Sequence, residues 1–376
     1  MPAVIGSPLP FQVLQRHGAG DPTSADSKGH LGLARVTLAG EHTALDEVSG
    51  ASMRAVPLVD AFGTATDWLD CELDREGTRF HASAEIPAGG WYRIELRLTR
   101  DRQTIAEADV SPVGIGEVFV IGGQSYMAGC HAFTAAIDDS LGRVTATSPE
   151  LGSWRIAHDP QPAIVQRIDD ASMRLLAEWA RTLDLRFPRG ESSPFRGSVW
   201  PMTMNHLLPL LGVPIGLVHV ALGATTIAQW QPGGVLYGNL RDAVRMAGDH
   251  RAVLWGLGES DAASGTSTQA FFDDMRQLRA ALVDETGIDR PWIVAATTTH
   301  PAYAANVAGE NAIRAAVAQL WREPGFLPGP DTDILGGLGL HRADENHGGH
   351  FTKLGQERAA LLWFSAIWHA LATGLD

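Results

Sequence analysis

Four places in the chain bring together residue types that could do chemistry. The first is Gly122-Gly123-Gln124-Ser125, which follows the apolar run 117–121. Two glycines let the chain turn tightly out of a strand. A serine there presents its hydroxyl at the start of the next helix, where backbone amides can receive a developing oxyanion. Ser125 is thus either an activated nucleophile or a plain helix cap. The second place follows the run 215–221, where Gly223 either brings its backbone N–H to a substrate carbonyl oxygen or makes an ordinary turn. The third follows the run 252–257, where Glu259 and Asp261 stand close together as functional acids or as solvated loop acids. The fourth is the cluster His341, Asp344, Glu345, His347 and His350 before the last helix. It could supply a serine's general base, bind a metal, or be structural. Its glycine-rich spacing is not the one-faced helical arrangement of zinc ligands, so no metal is expected, and serine chemistry needs no cofactor.

The elements that position these residues change character near residue 112. Before it, short alternating runs such as 34–38 and 91–98, punctuated by Gly, Pro, Asp and Ser, read as antiparallel strands of a small β-sandwich. After it, apolar runs alternate with helical patterns, the signature of βα units around a mostly parallel sheet. Strands are expected at 117–121, 215–221, 252–257 and 292–297, and helices at 171–186, 267–285, 309–322 and 354–373. The expected division is 1–112 and 113–376. In an open α/β sheet, ligands gather beyond the carboxyl ends of the strands, which is where the first three places lie.

Composition bounds the class. Of 376 residues, 45% are apolar and 19% charged, as in a folded globular protein. The net charge of −14 repels polyanions and makes nucleic acid an unlikely partner. Two cysteines, Cys71 and Cys130, exclude a disulfide scaffold and a cysteine zinc cluster. Residues 207–224 contain no Asp, Glu, Lys or Arg, yet Pro209, Gly212, Pro214 and Gly216 break the run into a helix end, a turn and a buried strand, so no membrane span is expected. The first ten residues lack the pattern of a secretory signal, and a cytoplasmic location is expected.

In order, these blocks resemble the sialate O-acetylesterase-like carbohydrate esterases of the SGNH hydrolase superfamily. The likeness rests on residues 11–16 and 87–96, on 116–127 around Ser125, on 213–232 around Gly223, on Trp255-Gly256-Leu257-Gly258-Glu259-Ser260-Asp261, and on His350-Phe351-Thr352-Lys353-Leu354-Gly355. It implies a three-layer α/β/α, flavodoxin-like catalytic domain behind the β-sandwich. Ser125 would be the nucleophile, and the amides of Ser125 and Gly223 the oxyanion hole. His350 would be the base, with Gln124 and Glu259 in support. The substrate would be an acetylated carbohydrate, and a homo-oligomer is compatible with it. Three positions depart from the family pattern. Tyr126 stands for asparagine, Leu257 for a glutamine that can donate to the oxyanion hole, and His347 for the aspartate three residues before the histidine. Asp344 is expected to replace that acid, since Gly348 and Gly349 let the loop fold back toward His350. Asp261 and a Ser-His dyad oriented by a backbone carbonyl are the alternatives. A non-catalytic carbohydrate-binding protein on this fold and an esterase for small non-sugar acyl compounds are the rival functions.

Overall fold

The computed structural model describes residues 3–18, 31–59, 62–164, 171, 174, 178, 197–301, 306–343 and 349–373. Its first third is strand: β1 (Val4–Ser7), β2 (Val13–Gln15), β3 (Leu33–Glu41), β4 (Gly50–Pro57), β5 (Leu69–Asp70), β6 (Glu72–Glu76), β7 (Arg79–Pro87), β8 (Gly89–Arg100) and β9 (Gln103–Gly123). Alternation in β3 and β8 works as the sequence implies, with Ala34, Val36 and Leu38, and Ile94, Leu96 and Leu98, buried while their neighbours are wetter. The order β1-β3-β7-β6 forms a four-stranded antiparallel sheet, and its buried Val36, Leu38, Phe80 and Ala82 share one apolar cluster with Met53, Ala55, Ile94 and Leu96 of β4 and β8.

β9 runs 21 residues through position 112 without a break. Its first half pairs antiparallel with β8, and its second half, from Glu117, is the middle strand of a largely parallel array. That array continues through β10 (Val144–Thr147), β11 (Arg155–Ile156), β12 (Ile215–His219), β13 (Ala252–Gly256), β14 (Trp292–Ala296) and β15 (Phe326–Asp331), in the order β11-β10-β12-β9-β13-β14-β15. All these pairings are parallel except that of β10 with β11. The result is a mixed α/β fold with one large mixed sheet and one smaller antiparallel sheet.

The strand expectations at 117–121, 215–221, 252–257 and 292–297 coincide with β9, β12, β13 and β14. β15 was hidden because Pro328, Gly329 and Pro330 speak against a strand; among the described residues it pairs only with β14, and such an edge tolerates proline.

Beside a short 3-10 turn at Leu45–Glu47, eight α-helices are described with bounds: α1 (Ser125–Ala128), α2 (Trp200–Leu211), α3 (Ile227–Trp230), α4 (Tyr237–Ala247), α5 (Glu259–Ser264), α6 (Thr268–Thr286), α7 (Val307–Leu320) and α8 (Lys353–Ala372). The expected helix at 171–186 lies almost wholly outside the described residues. Successive β9 side chains separate: Phe119 and Ile121 join a cluster with α2 and α8, Val118 and Val120 a cluster with α4, α6 and α7. The run at 207–224 is the helix end, turn and strand anticipated, with Gly212 at φ +65° stopping α2 before β12. Among the described residues no helix is long and apolar enough to cross a membrane.

Where β9 changes partners, Glu117 is buried among three polar side chains. Arg16 Nε donates to its Oε1 at 2.8 Å, Arg251 Nε to its Oε2 at 2.7 Å, and Gln15 Nε2 to Oε2 at 3.0 Å. Burial disfavours this charge, but the two guanidinium groups outweigh it and hold the carboxyl below its ordinary range. β2, β9 and the entry to β13 are thereby pinned together. Glu117→Gln removes the carboxylate that two buried guanidiniums share and should cost about 3–5 kcal/mol. Urea unfolding at pH 7 measures it; a loss under about 1 kcal/mol would mean the cluster does not tie the sheet.

Candidate active site

β9 is flanked by β12 on one side and β13 on the other, so the order of strands reverses across it, and its carboxyl end is where an open α/β sheet receives a ligand. The turn there leaves no room for side chains. A Cβ on Gly122 would lie 2.6 Å from Trp255 Cζ3, and one on Gly123, whose φ is +117°, would lie 2.0 Å from Gly256 O. Gln124 N–H then donates to Gly256 O at 2.9 Å, and α1 begins. Gln124, not Ser125, occupies the cap position, and no side chain caps this helix. Ser125 is the first helical residue and is nearly buried, so the plain-cap reading does not describe it.

Gly223 lies against this serine: a Cβ built on it would be 3.3 Å from Ser125 Cβ. The segment is held from both ends. Leu222 N–H donates to Gly123 O at 2.9 Å, and Ile227 N–H donates to Asp261 Oδ2 at 3.1 Å. Between them Ala224 sits at φ +55°, a left-handed conformation costly for a residue with a Cβ and kept only where its surroundings over-determine it.

Both acids after β13 are fully buried, which removes the solvated-loop reading. Burial pushes the Glu259 carboxyl up to about 8, although Thr297 Oγ1 donates to its Oε1 at 2.7 Å. Burial likewise pushes Asp261 up to about 7. Asp261 accepts from Ile227 N–H and from Thr266 Oγ1 at 3.1 Å, so its carboxyl braces the Gly223 segment. Ser260 N–H donates to Gln124 Oε1 at 3.4 Å, linking the third block to the serine turn, while Leu257 is buried among apolar side chains.

The histidine block is legible in physical terms. Thr352 caps α8, accepting from Gly355 N–H at 3.2 Å, and Gly355 is needed because a Cβ there would lie 1.9 Å from His341 O. Thr352 N–H donates to His341 O at 2.9 Å and Ala343 N–H to His350 O at 2.8 Å, so the segment carrying His350 is paired with the one before the loop. His350 is half-buried, its ring centroid 5.2 Å from that of Tyr126 and 4.7 Å from that of His300. Asp344 and His347 lie outside the described residues.

Three residues not anticipated complete the site: His131, His300 and Arg342. Burial lowers both histidines well below the ordinary range, so they are neutral at pH 7. His300 follows β14, and the rule applied to the first three strand ends would have found it; His131 sits in a loop without a pattern. Arg342 lines, with Glu259, Thr298, His300, Asn306 and Leu338, a cavity of about 300 Å³ near the carboxyl ends of β13 and β14. Among the described residues no cluster of three or more His, Cys, Asp or Glu side chains is placed to hold a metal. Both thiols are free, and burial pushes each up to about 12, so neither is a thiolate nucleophile at neutral pH.

Residues 115–358, which include Ser125, Gly223, Glu259, Asp261 and His350, match the family described as carbohydrate esterase, sialic acid-specific acetylesterase. The chain belongs to that family. It is a carboxylic ester hydrolase, and the family implies an acetylated carbohydrate as substrate. Among solved structures the esterase resembles a carbohydrate acetylesterase from Xanthomonas citri, at 16% identity over 99% of this chain and 76% of that one, with a TM-score of 0.55. It also matches an Arabidopsis thaliana protein at 20% identity over 69% of this chain and 99% of that one, with a TM-score of 0.48. At these identities the likeness concerns the fold. No curated protein sequence matches it.

The buried acids make the esterase's stability depend on pH. Glu259 stays protonated in the fold up to about 8 but ionises near 4.5 once unfolded, so the folded state holds the extra proton and stability falls as pH rises through that window. The expected slope for this one group is about 1.4 kcal/mol per pH unit. The unfolding free energy of wild type minus that of Glu259→Gln should therefore fall steadily between pH 5 and 8, by about 1.4 kcal/mol per pH unit. Parallel curves would show that Glu259 is not a neutral acid in the native protein.

Proposed function

We propose that this esterase removes O-acetyl groups from a carbohydrate through an acyl-enzyme on Ser125. The observation that carries the reading is the juxtaposition of Ser125, first in its helix at the end of β9, with Gly223, whose missing Cβ leaves the approach to the serine open. Ser125 Oγ attacks the ester carbonyl and His350 takes its proton. The amides of Ser125 and Gly223 receive the oxyanion, and the alcohol leaves with the proton returned by His350. Water, activated by the same histidine, then releases acetate. Asp344 orients the imidazole in this scheme, and the bonds Asp261 makes to Ile227 and Thr266 leave it a bracing role. The framework is a three-layer α/β/α domain of the SGNH type. The β-sandwich of residues 1–112 is joined to it through β9 and shapes one rim of the cleft.

Turnover of a chromogenic acetate and release of acetate from acetylated glycans test this together. Ser125→Ala and His350→Ala should each lower kcat by about 10⁴-fold or more. His347→Ala should be mild, and Asp344→Asn should cost at least about a hundredfold. A severe effect at 347 with a mild one at 350 would exchange the base. A large loss confined to Asp261→Asn would move the acid to the third block, and near-normal rates in both acid variants would favour a dyad.

A further inference from the structure

Tyr126, the residue after the proposed nucleophile, is buried among four rings: the centroids of Phe351, His350, His131 and His300 lie 4.7, 5.2, 5.6 and 5.7 Å from its own. Its hydroxyl donates to the backbone carbonyl of Gly349 at 3.2 Å, one residue before His350. The same oxygen accepts from Arg342 Nη1. Arg342 is itself 2% exposed and donates to three backbone carbonyls: Nη1 to Thr299 O at 2.8 Å, Nε to Leu335 O at 3.1 Å, and Nη2 to Thr332 O at 3.1 Å. Asp333 Oδ1 stands 3.9 Å from Nη2, too far for a close ion pair to account for this buried charge.

A guanidinium has a planar fork of five donors and no acceptor, so carbonyls on separate loops can hold it in one orientation. Thr299 lies after β14, and Thr332 and Leu335 after β15. Arg342 therefore gathers two strand ends and directs one donor at Tyr126. With a phenol lone pair occupied by that donor, the phenol proton is free to point at Gly349 O. Burial pushes the phenol above its ordinary value, so it keeps the proton. The backbone closes the circuit, because Arg342 faces Phe351 in an antiparallel bridge and its neighbours His341 and Ala343 bond to Thr352 and His350.

The geometry points to Arg342 and Tyr126 as positioning residues that hold the His350 segment in register with Ser125. This rests on His350 being the base. Neither side chain is assigned a contact with substrate; both act through the histidine. Tyr126 is well placed for it, since one turn of helix fixes Tyr126 relative to Ser125 while its hydroxyl fixes Gly349 relative to Tyr126.

A double-mutant cycle on kcat for an aryl acetate tests the assignment, using Tyr126→Phe, His350→Ala and the double variant, with thermal melts alongside. Tyr126→Phe should lower kcat by about 10- to 100-fold, with KM within about twofold of wild type, as for residues coupled in one hydrogen-bond network. In the His350→Ala background the same change should alter the residual rate by less than about threefold, because the group it positions is gone. Arg342→Lys, which keeps the charge but not the fork, should repeat the pattern and serves if Tyr126→Phe melts early. Wild-type kcat in both variants, or equal losses with and without His350, would overturn the positioning role and leave the base assignment standing. Full activity of His350→Ala alone would remove the base assignment, and this inference with it.

Discussion

The rest of the structure depends on one strand serving both the antiparallel and the parallel part of the large sheet. β9 leaves the antiparallel part as the partner of β8 and enters the parallel part between β12 and β13, and the change happens at a buried carboxylate. A carboxylate in that position is tolerable only because Arg16 comes from the segment preceding β3 and Arg251 from the entry to β13, so the three parts of chain that must agree on β9's register are the ones that neutralise it. From Glu117 onward the register is fixed to Gly123, and a turn without room for a Cβ transmits it to Ser125. The serine's place is thus set by sheet geometry and not by its own side-chain bonds.

A second constraint is dryness. Glu259, Asp261, His131 and His300 are all buried and all shifted toward their neutral forms, which leaves the guanidinium of Arg342 as a charge bonded mainly to backbone carbonyls. In such surroundings a developing oxyanion is stabilised by fixed amide dipoles more strongly than it would be in water, and Glu259 and Asp261 do not oppose it while they keep their protons. The acids serve as hydrogen-bonding parts of the scaffold: Asp261 fixes the segment carrying Gly223, and Glu259 meets Thr297 at the end of β14.

Much of this was legible in the sequence, for reasons that differ from block to block. The four central strands announced themselves because two-sided burial demands unbroken apolar runs, and the residues after three of them meet in the structure. The Thr352 and Gly355 spacing could be read because a cap and a close approach each need one residue type. β10 is only four residues long and β15 contains prolines, so neither carries a strand pattern. The Arg342–Tyr126 contact spans 216 positions, and no local periodicity encodes a pairing between a strand-end helix and a distant loop. That Asp261 bonds Ile227 N–H was not legible, because proximity in sequence to Glu259 says nothing of which backbone amide a buried carboxyl will satisfy.

The most direct measurement is covalent. The enzyme is treated with a serine-directed phosphonate, digested, and mapped by mass spectrometry, with Ser125→Ala treated in parallel. One equivalent of label on the peptide containing Ser125, absent from the variant, is the expected result. Stoichiometric label on a different serine, or equal labelling of the variant, would contradict the placement of the nucleophile at the end of β9.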